Sequence, residues 1–149
     1  MLWALIYLLG LLATHFLILQ GTLTETMALW VWFVVLLISS YSIGQSRAIR
    51  SATVNSAWML STALFIVLSG TMLLGIWSGG AVVLFALYLL LNGAVVFAMG
   101  HDMRRADWVA YGLYSVALGL VYPTWFVSAP FLAAAFILGV PLLLGSMRK

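Results

Sequence analysis

Apolar runs as long as a membrane is thick follow one another through this chain, and only short polar breaks separate them. A helix needs about 20 mainly apolar residues to cross the hydrocarbon core, within a range of roughly 17–25. Six segments meet or approach that length: 2–19, 27–44, 57–77, 80–100, 107–122 and 129–147. The fifth is the shortest. Segments this apolar can satisfy their backbone N–H and C=O groups in lipid only as helices. The expected fold is therefore all-α, an integral membrane six-helix bundle in a single transmembrane domain over 1–149. Composition agrees. The chain is 66% hydrophobic and 6% charged, with a mean hydropathy of +1.21. A soluble domain has about 25% charged residues, so a water-facing surface could not be clothed.

The breaks carry their own signals. In Gly21-Thr22-Leu23-Thr24-Glu25-Thr26, Thr24 or Thr26 is placed to cap the next helix. Ser78-Gly79-Gly80 reads as a tight turn built on glycine at positive φ. Pro123 is expected to end the fifth helix and Pro130 to open the sixth. Pro141 is expected to bend the sixth. All breaks are short, which predicts three sequential antiparallel hairpins.

All six Lys and Arg residues fall in three of these places: Arg47 and Arg50, Arg104 and Arg105, Arg148 and Lys149. Six spans put all three on one side, and Glu25 on the other. Positive charge marks the cytoplasmic side, so both termini are expected there. The N-terminus lacks the basic region of a signal peptide and reads as a retained helix. The net charge of +3 is confined to short loops. It makes no patch for nucleic acid, and two Arg per loop fall short of a polybasic lipid site. Trp3, Trp58, Trp77, Trp108 and Trp125 lie near segment ends, where Trp prefers the interface; Trp30 and Trp32 lie in the first turns of the second segment.

The second hairpin opens at Trp58, passes Gly75 and returns through Leu87-Tyr-Leu-Leu-Leu-Asn-Gly93. The third opens at Trp108, passes Gly119 and Pro123, and returns through Phe136-Ile-Leu-Gly-Val-Pro-Leu-Leu-Leu-Gly145. From Trp58 to Gly145 this pattern resembles the small six-helix membrane proteins of the HdeD acid-resistance type. That family has three similar helical hairpins with glycines late in the helices and a proline at the turn. Ser78-Gly79-Gly80 stands here where the proline would be. The resemblance implies a non-enzymatic bacterial inner-membrane protein linked to stress, with no catalytic residues to carry over.

Ionisable groups within a span are functional candidates by default, and they are few. His15 lies inside the first segment beside Thr14, with Gln20 toward its outer end, and Asn92 lies inside the fourth. No Asp, Glu, Lys or Arg falls in the middle of a span, which removes the usual machinery of ion-coupled transport. The only Lys is Lys149, so no retinal Schiff base is available. With no cysteine, disulfides, thiolate catalysis and Fe–S clusters are excluded. Neither a metal site nor a cofactor is expected, and Walker, GxSxG and HExxH patterns are missing. His15 is expected to hydrogen-bond Asn92, a Ser or a backbone carbonyl, and Asp107 to cap the fifth helix. Ser115 with Gly119, and Ala94 with Ala98, form small-xxx-small pairs that let helices approach closely.

The expected function is that of a non-catalytic structural, accessory or stress-related protein of the prokaryotic inner membrane. It would pack against lipid, a second copy or a membrane-protein partner. The alternative is an uncoupled channel or carrier for a small neutral solute, lined by His15, Thr14, Asn92 and the Tyr and Ser residues.

Overall fold

Long apolar runs fold as helices wherever nothing interrupts the backbone ladder, and here glycine does most of the interrupting. The computed structural model describes residues 2–44 and 52–147, and all the elements among them are helical. They form α1 (Leu2–Leu19), α2 (Glu25–Gly44), α3 (Ala52–Leu73), α4 (Ala81–Asp102), α5 (Ala106–Trp125) and α6 (130–147). Arg47, Arg50, Arg148 and Lys149 lie outside the described residues; Arg104 and Arg105 sit in the short connection from α4 to α5.

Three helices end in the same way. Gly21 donates to Ile18 O and Thr22 to Leu17 O; Gly75 donates to Met72 O and Ile76 to Thr71 O; Arg104 donates to His101 O and Arg105 to Gly100 O. Each is a Schellman closure, which needs a left-handed residue after the helix. Gly21 and Gly75 have φ of 70° and 76°, and Arg104 has 54°. Thr24 Oγ1 accepts from Met27 N at 3.3 Å, capping α2 as expected.

Several expectations are corrected. α3 runs from 52 to 73 rather than 57 to 77, because Gly75 closes it early while Ser56, Asn55 and their neighbours are helical. The turn before α4 needs no positive φ at Gly80, whose backbone is extended. Pro123 lies inside α5, which continues to Trp125. So close to the helix end, its missing N–H removes only one late bond, and Phe126 N still reaches Tyr122 O at 3.2 Å. Asp107 does not hold the cap position of α5, which is that of Arg105; it lies in the first turn, its carboxylate beside its own N–H and that of Trp108. The Asp107 carboxylate also pairs with Arg105 at 2.5 Å, in the open.

α1 and α6 each contain one π-turn, at Ile6–Gly10 and Ala135–Gly139. The second stands directly before Pro141, whose ring would press on the carbonyl four residues back in a regular helix. The wider turn relieves that clash. The two π-turns pack against each other. A Cβ on Gly139 would lie 2.9 Å from Leu8 Cβ and 3.0 Å from Leu8 N, so the two backbones nearly touch.

α4 is the centre of the bundle, packed on α2, α3, α5 and α6, and its seam with α5 is the most extensive. Ala86, Gly93 and Gly100 recur every seven residues on α4; Gly112 and Gly119 do so on α5. A heptad of small residues keeps one narrow stripe on the partner helix. Gly93 meets Ser115 and Gly112, Gly100 meets Val109, and Gly119 meets Leu90 and Ala86, which makes the pair antiparallel. Ser115 and Gly119 are buried in this seam, whereas Ala94 is exposed and Ala98 half-buried. The i, i+4 alanine pair is thus not the packing face of α4; the seven-residue stripe is. The other extensive long-range pairing is α1 with α6.

Four helical stretches, Leu2–Leu19, Glu25–Ser42, Val54–Leu73 and Ala81–Asp102, are both long and apolar enough to cross a membrane. α5 has 20 residues but carries Asp107, three Tyr and Pro123, and the apolar part of α6, Pro130–Gly145, is shorter.

Candidate functional site

Most of the polar side chains inside the bundle gather in the half that holds the start of α1, the end of α2 and the start of α5. Tyr7 and Tyr88, on α1 and α4, bring their hydroxyls to 2.9 Å, and Ser39 Oγ of α2 lies 3.1 Å from the Tyr88 hydroxyl. All three are buried. One turn along α4, Asn92 Nδ2 donates to Tyr88 O at 3.2 Å, and its Oδ1 accepts from Ser40 Oγ at 2.7 Å. Trp58 of α3 donates to Ser40 O at 3.0 Å. Six side chains and two carbonyls thus tie four helices together. Such bonds average about 0.6 kcal/mol each in membranes, with a ceiling near ~1.7.

Apolar packing holds these groups in place. Tyr7 stacks on Trp32, and Phe65 meets Tyr88 edge-on at 5.8 Å. Beside them lies a cavity of about 100 Å³. Its walls are mostly apolar, with the rings of Trp3, Tyr7, Tyr88 and Tyr111, and its polar points come from Ser39, Asn92 and Ser115. Ser115 Oγ is turned back to Tyr111 O at 2.9 Å. The opposite half of the bundle is closed by rings: Phe85 packs on Tyr122 and Phe131, and the Tyr122 hydroxyl donates to Pro130 O, tying α5 to the start of α6.

Of the expected polar residues, the structure brings only Asn92 into this network. His15 lies two turns further along α1 than Tyr7, about 12 Å away at the helical rise. Its ring meets Phe16, and among the described residues it makes no hydrogen bond; the expected bond to Asn92 is absent. Thr14 is bonded elsewhere, donating to Gly10 O at 2.8 Å and accepting from Trp32 Nε1 at 2.9 Å. Trp32 is accordingly a buried bridge between α1 and α2 rather than an interfacial anchor. Gln20 is exposed at the end of α1. Tyr7, Ser39, Ser40 and Tyr88 enter the sequence reading only among the Tyr and Ser residues of the alternative pathway, although hydroxyls on three apolar runs signal groups that must find partners. Among the described residues, no cluster of His, Asp and Glu is placed to hold a metal ion.

No known protein family, characterised protein or solved structure matches this chain.

Proposed function

We propose that the chain is an integral protein of a prokaryotic inner membrane, spanning it six times as three successive hairpins with both termini cytoplasmic. It acts without catalysis, as a structural or accessory component that associates with itself or packs into a larger membrane complex. The stress-linked role implied by the resemblance to HdeD-type proteins belongs to the same proposal.

The observation that carries this reading is where the intramembrane polar groups direct their bonds. Tyr7, Tyr88, Ser39, Ser40 and Asn92 bond to one another across three helices, and Trp58 adds the fourth, which makes a scaffold. The outer faces remain apolar: Leu9, Ile38, Leu60 and Leu120 are all more than half exposed. Water would penalise such faces by about 25 cal/mol for each Å², whereas lipid or a partner helix covers them. Arg104 and Arg105 at a helix connection fit the charge-based orientation. A second reading, an uncoupled channel or carrier for a small neutral solute, draws on the cavity beside Asn92. It requires a way past Phe85, Tyr122 and Phe131.

Because the chain has no cysteine, single-cysteine variants report topology directly. Met103→Cys should be labelled only from the cytoplasmic side and Thr22→Cys only from the other; the reverse pattern sinks the orientation. Native mass spectrometry from mild detergent should show a fixed oligomer or partner. In proteoliposomes, neutral-solute flux that disappears in Asn92→Leu would replace the accessory reading with the channel one.

A further inference from the structure

Hydrogen counting around Tyr88 leaves something over. Tyr7, Tyr88 and Ser39 bring three hydroxyl hydrogens, and two hydrogen bonds join their three oxygens. Whichever way the chain is oriented, these two bonds leave one hydroxyl hydrogen without an acceptor at full hydrogen-bond geometry among the described residues. Asn92 Nδ2 carries two hydrogens and uses one, on Tyr88 O. Two donors therefore remain, from residues that all line the cavity. An unanswered buried donor costs about 1–3 kcal/mol, so an occupant with accepting oxygen atoms is favoured there.

The walls narrow the choice further. Rings of Trp3, Tyr7, Tyr88 and Tyr111 surround an otherwise apolar space, which suits a flat, uncharged molecule. No charged side chain lines the cavity to meet an ion. About 100 Å³ would hold roughly three waters, or one small ring. Three waters would need about three polar partners each, more than the lining supplies. A way in is inferred between α5 and α6. They are joined at Tyr122 and Pro130 but share no extensive interface, and at the cavity end Tyr111 and Leu142 stand half-buried. Substituents of a bound ring would project through that gap.

We propose that this cavity binds a small, flat, neutral carbonyl compound of benzoquinone size, taken from the lipid phase, with its oxygen atoms accepting from the Tyr7–Tyr88–Ser39 hydroxyls and from Asn92. The choice of a lipid-soluble ligand rests on the membrane-spanning reading. Resistance of the chain to alkaline extraction from membranes is measured first and tests that reading by itself.

The full chain in phosphatidylcholine nanodiscs is then dialysed to equilibrium against 2,6-dimethyl-1,4-benzoquinone, with protein-free nanodiscs as the partition control. The expected result is saturable binding above the control. 1,3-Dimethylbenzene, of similar shape without the carbonyls, should bind at least about tenfold more weakly. Asn92→Leu should weaken quinone binding about five- to tenfold. Val96→Phe fills the cavity from a half-buried wall position, leaves every hydrogen bond described in place, and should abolish binding. Equal affinity for the hydrocarbon, full binding in Val96→Phe, or no saturable uptake over empty nanodiscs (a cavity holding water or nothing) would overturn the proposal. The quinone–hydrocarbon comparison uses the unaltered chain, so the test stands even where a variant does not fold.

Discussion

Adding one methyl group at Gly93 and one at Gly70 should change stability in opposite directions. Both glycines lie within helices, so both Gly→Ala changes gain the same helix-propensity term, about 1 kcal/mol at most. At Gly70 of α3 nothing lies within 4 Å of the new Cβ. At Gly93 the new Cβ would sit 2.8 Å from Ser115 Cβ, 3.0 Å from Val116 N and 3.1 Å from Gly112 O. Two of those three atoms are backbone, so no side chain can rotate away, and α4 and α5 must part by about half an ångström to regain ordinary contact. Overpacking of this kind costs about 1–3 kcal/mol. Subtracting the two variants cancels the propensity term and isolates the seam. Gly93→Ala should be less stable than Gly70→Ala by about 1–3 kcal/mol, and Gly70→Ala no less stable than the parent. The assay is unfolding in mixed micelles by rising dodecyl sulfate, followed by circular dichroism. Equal stability of the two variants would mean that α4 and α5 are not in backbone contact, and the seam described above would be wrong.

The same assay checks three more expectations. Ser69 Oγ is fully buried with no hydrogen-bond partner among the described residues, so Ser69→Ala should raise stability by about 1 kcal/mol; a loss would show that the hydroxyl is bonded. Arg104 closes α4 at positive φ, where a side chain is strained. Arg104→Gly should therefore stabilise by about 1 kcal/mol while Arg104→Lys leaves stability unchanged. Trp32→Phe removes the bond to Thr14, which retains its bond to Gly10 O. It should cost at least about 0.6 kcal/mol for the bond and more for the indole packed on Gly10; no loss would remove the α1–α2 bridge.

Much of the architecture was legible in the apolar runs. The limits of α1 follow directly from 2–19, and Thr24 and Pro130 sit at helix starts as their chemistry suggests. Local chemistry failed where a neighbouring residue outweighed it. Gly75 closed α3 ahead of the more conspicuous Ser78-Gly79-Gly80, and Pro123 fell too near the end of α5 to stop it. Pairing was harder to read. Short connections suggested that each helix packs on the next, yet α1 packs chiefly on α6, and nothing in either sequence announces a π-turn facing a π-turn. The site suffered from the habit of reading rarity as importance. His15 is the rare ionisable group and makes no side-chain hydrogen bond among the described residues, while ordinary Tyr and Ser hydroxyls make the network. The seven-residue spacing of Ala86, Gly93 and Gly100 was present in the sequence, and the shorter Ala94–Ala98 spacing drew attention from it.

The backbone contact of Leu8 with Gly139 has a consequence for the order in which the protein is made. A ribosome delivers α1 well before α6, so a helix whose backbone nearly touches its partner waits while the four helices between them are made. During that interval the face of α1 around Leu8 is open to lipid, to other nascent chains or to a chaperone. The contact forms only when α6 arrives, and a chain released before residue 130 would leave α1 without that partner.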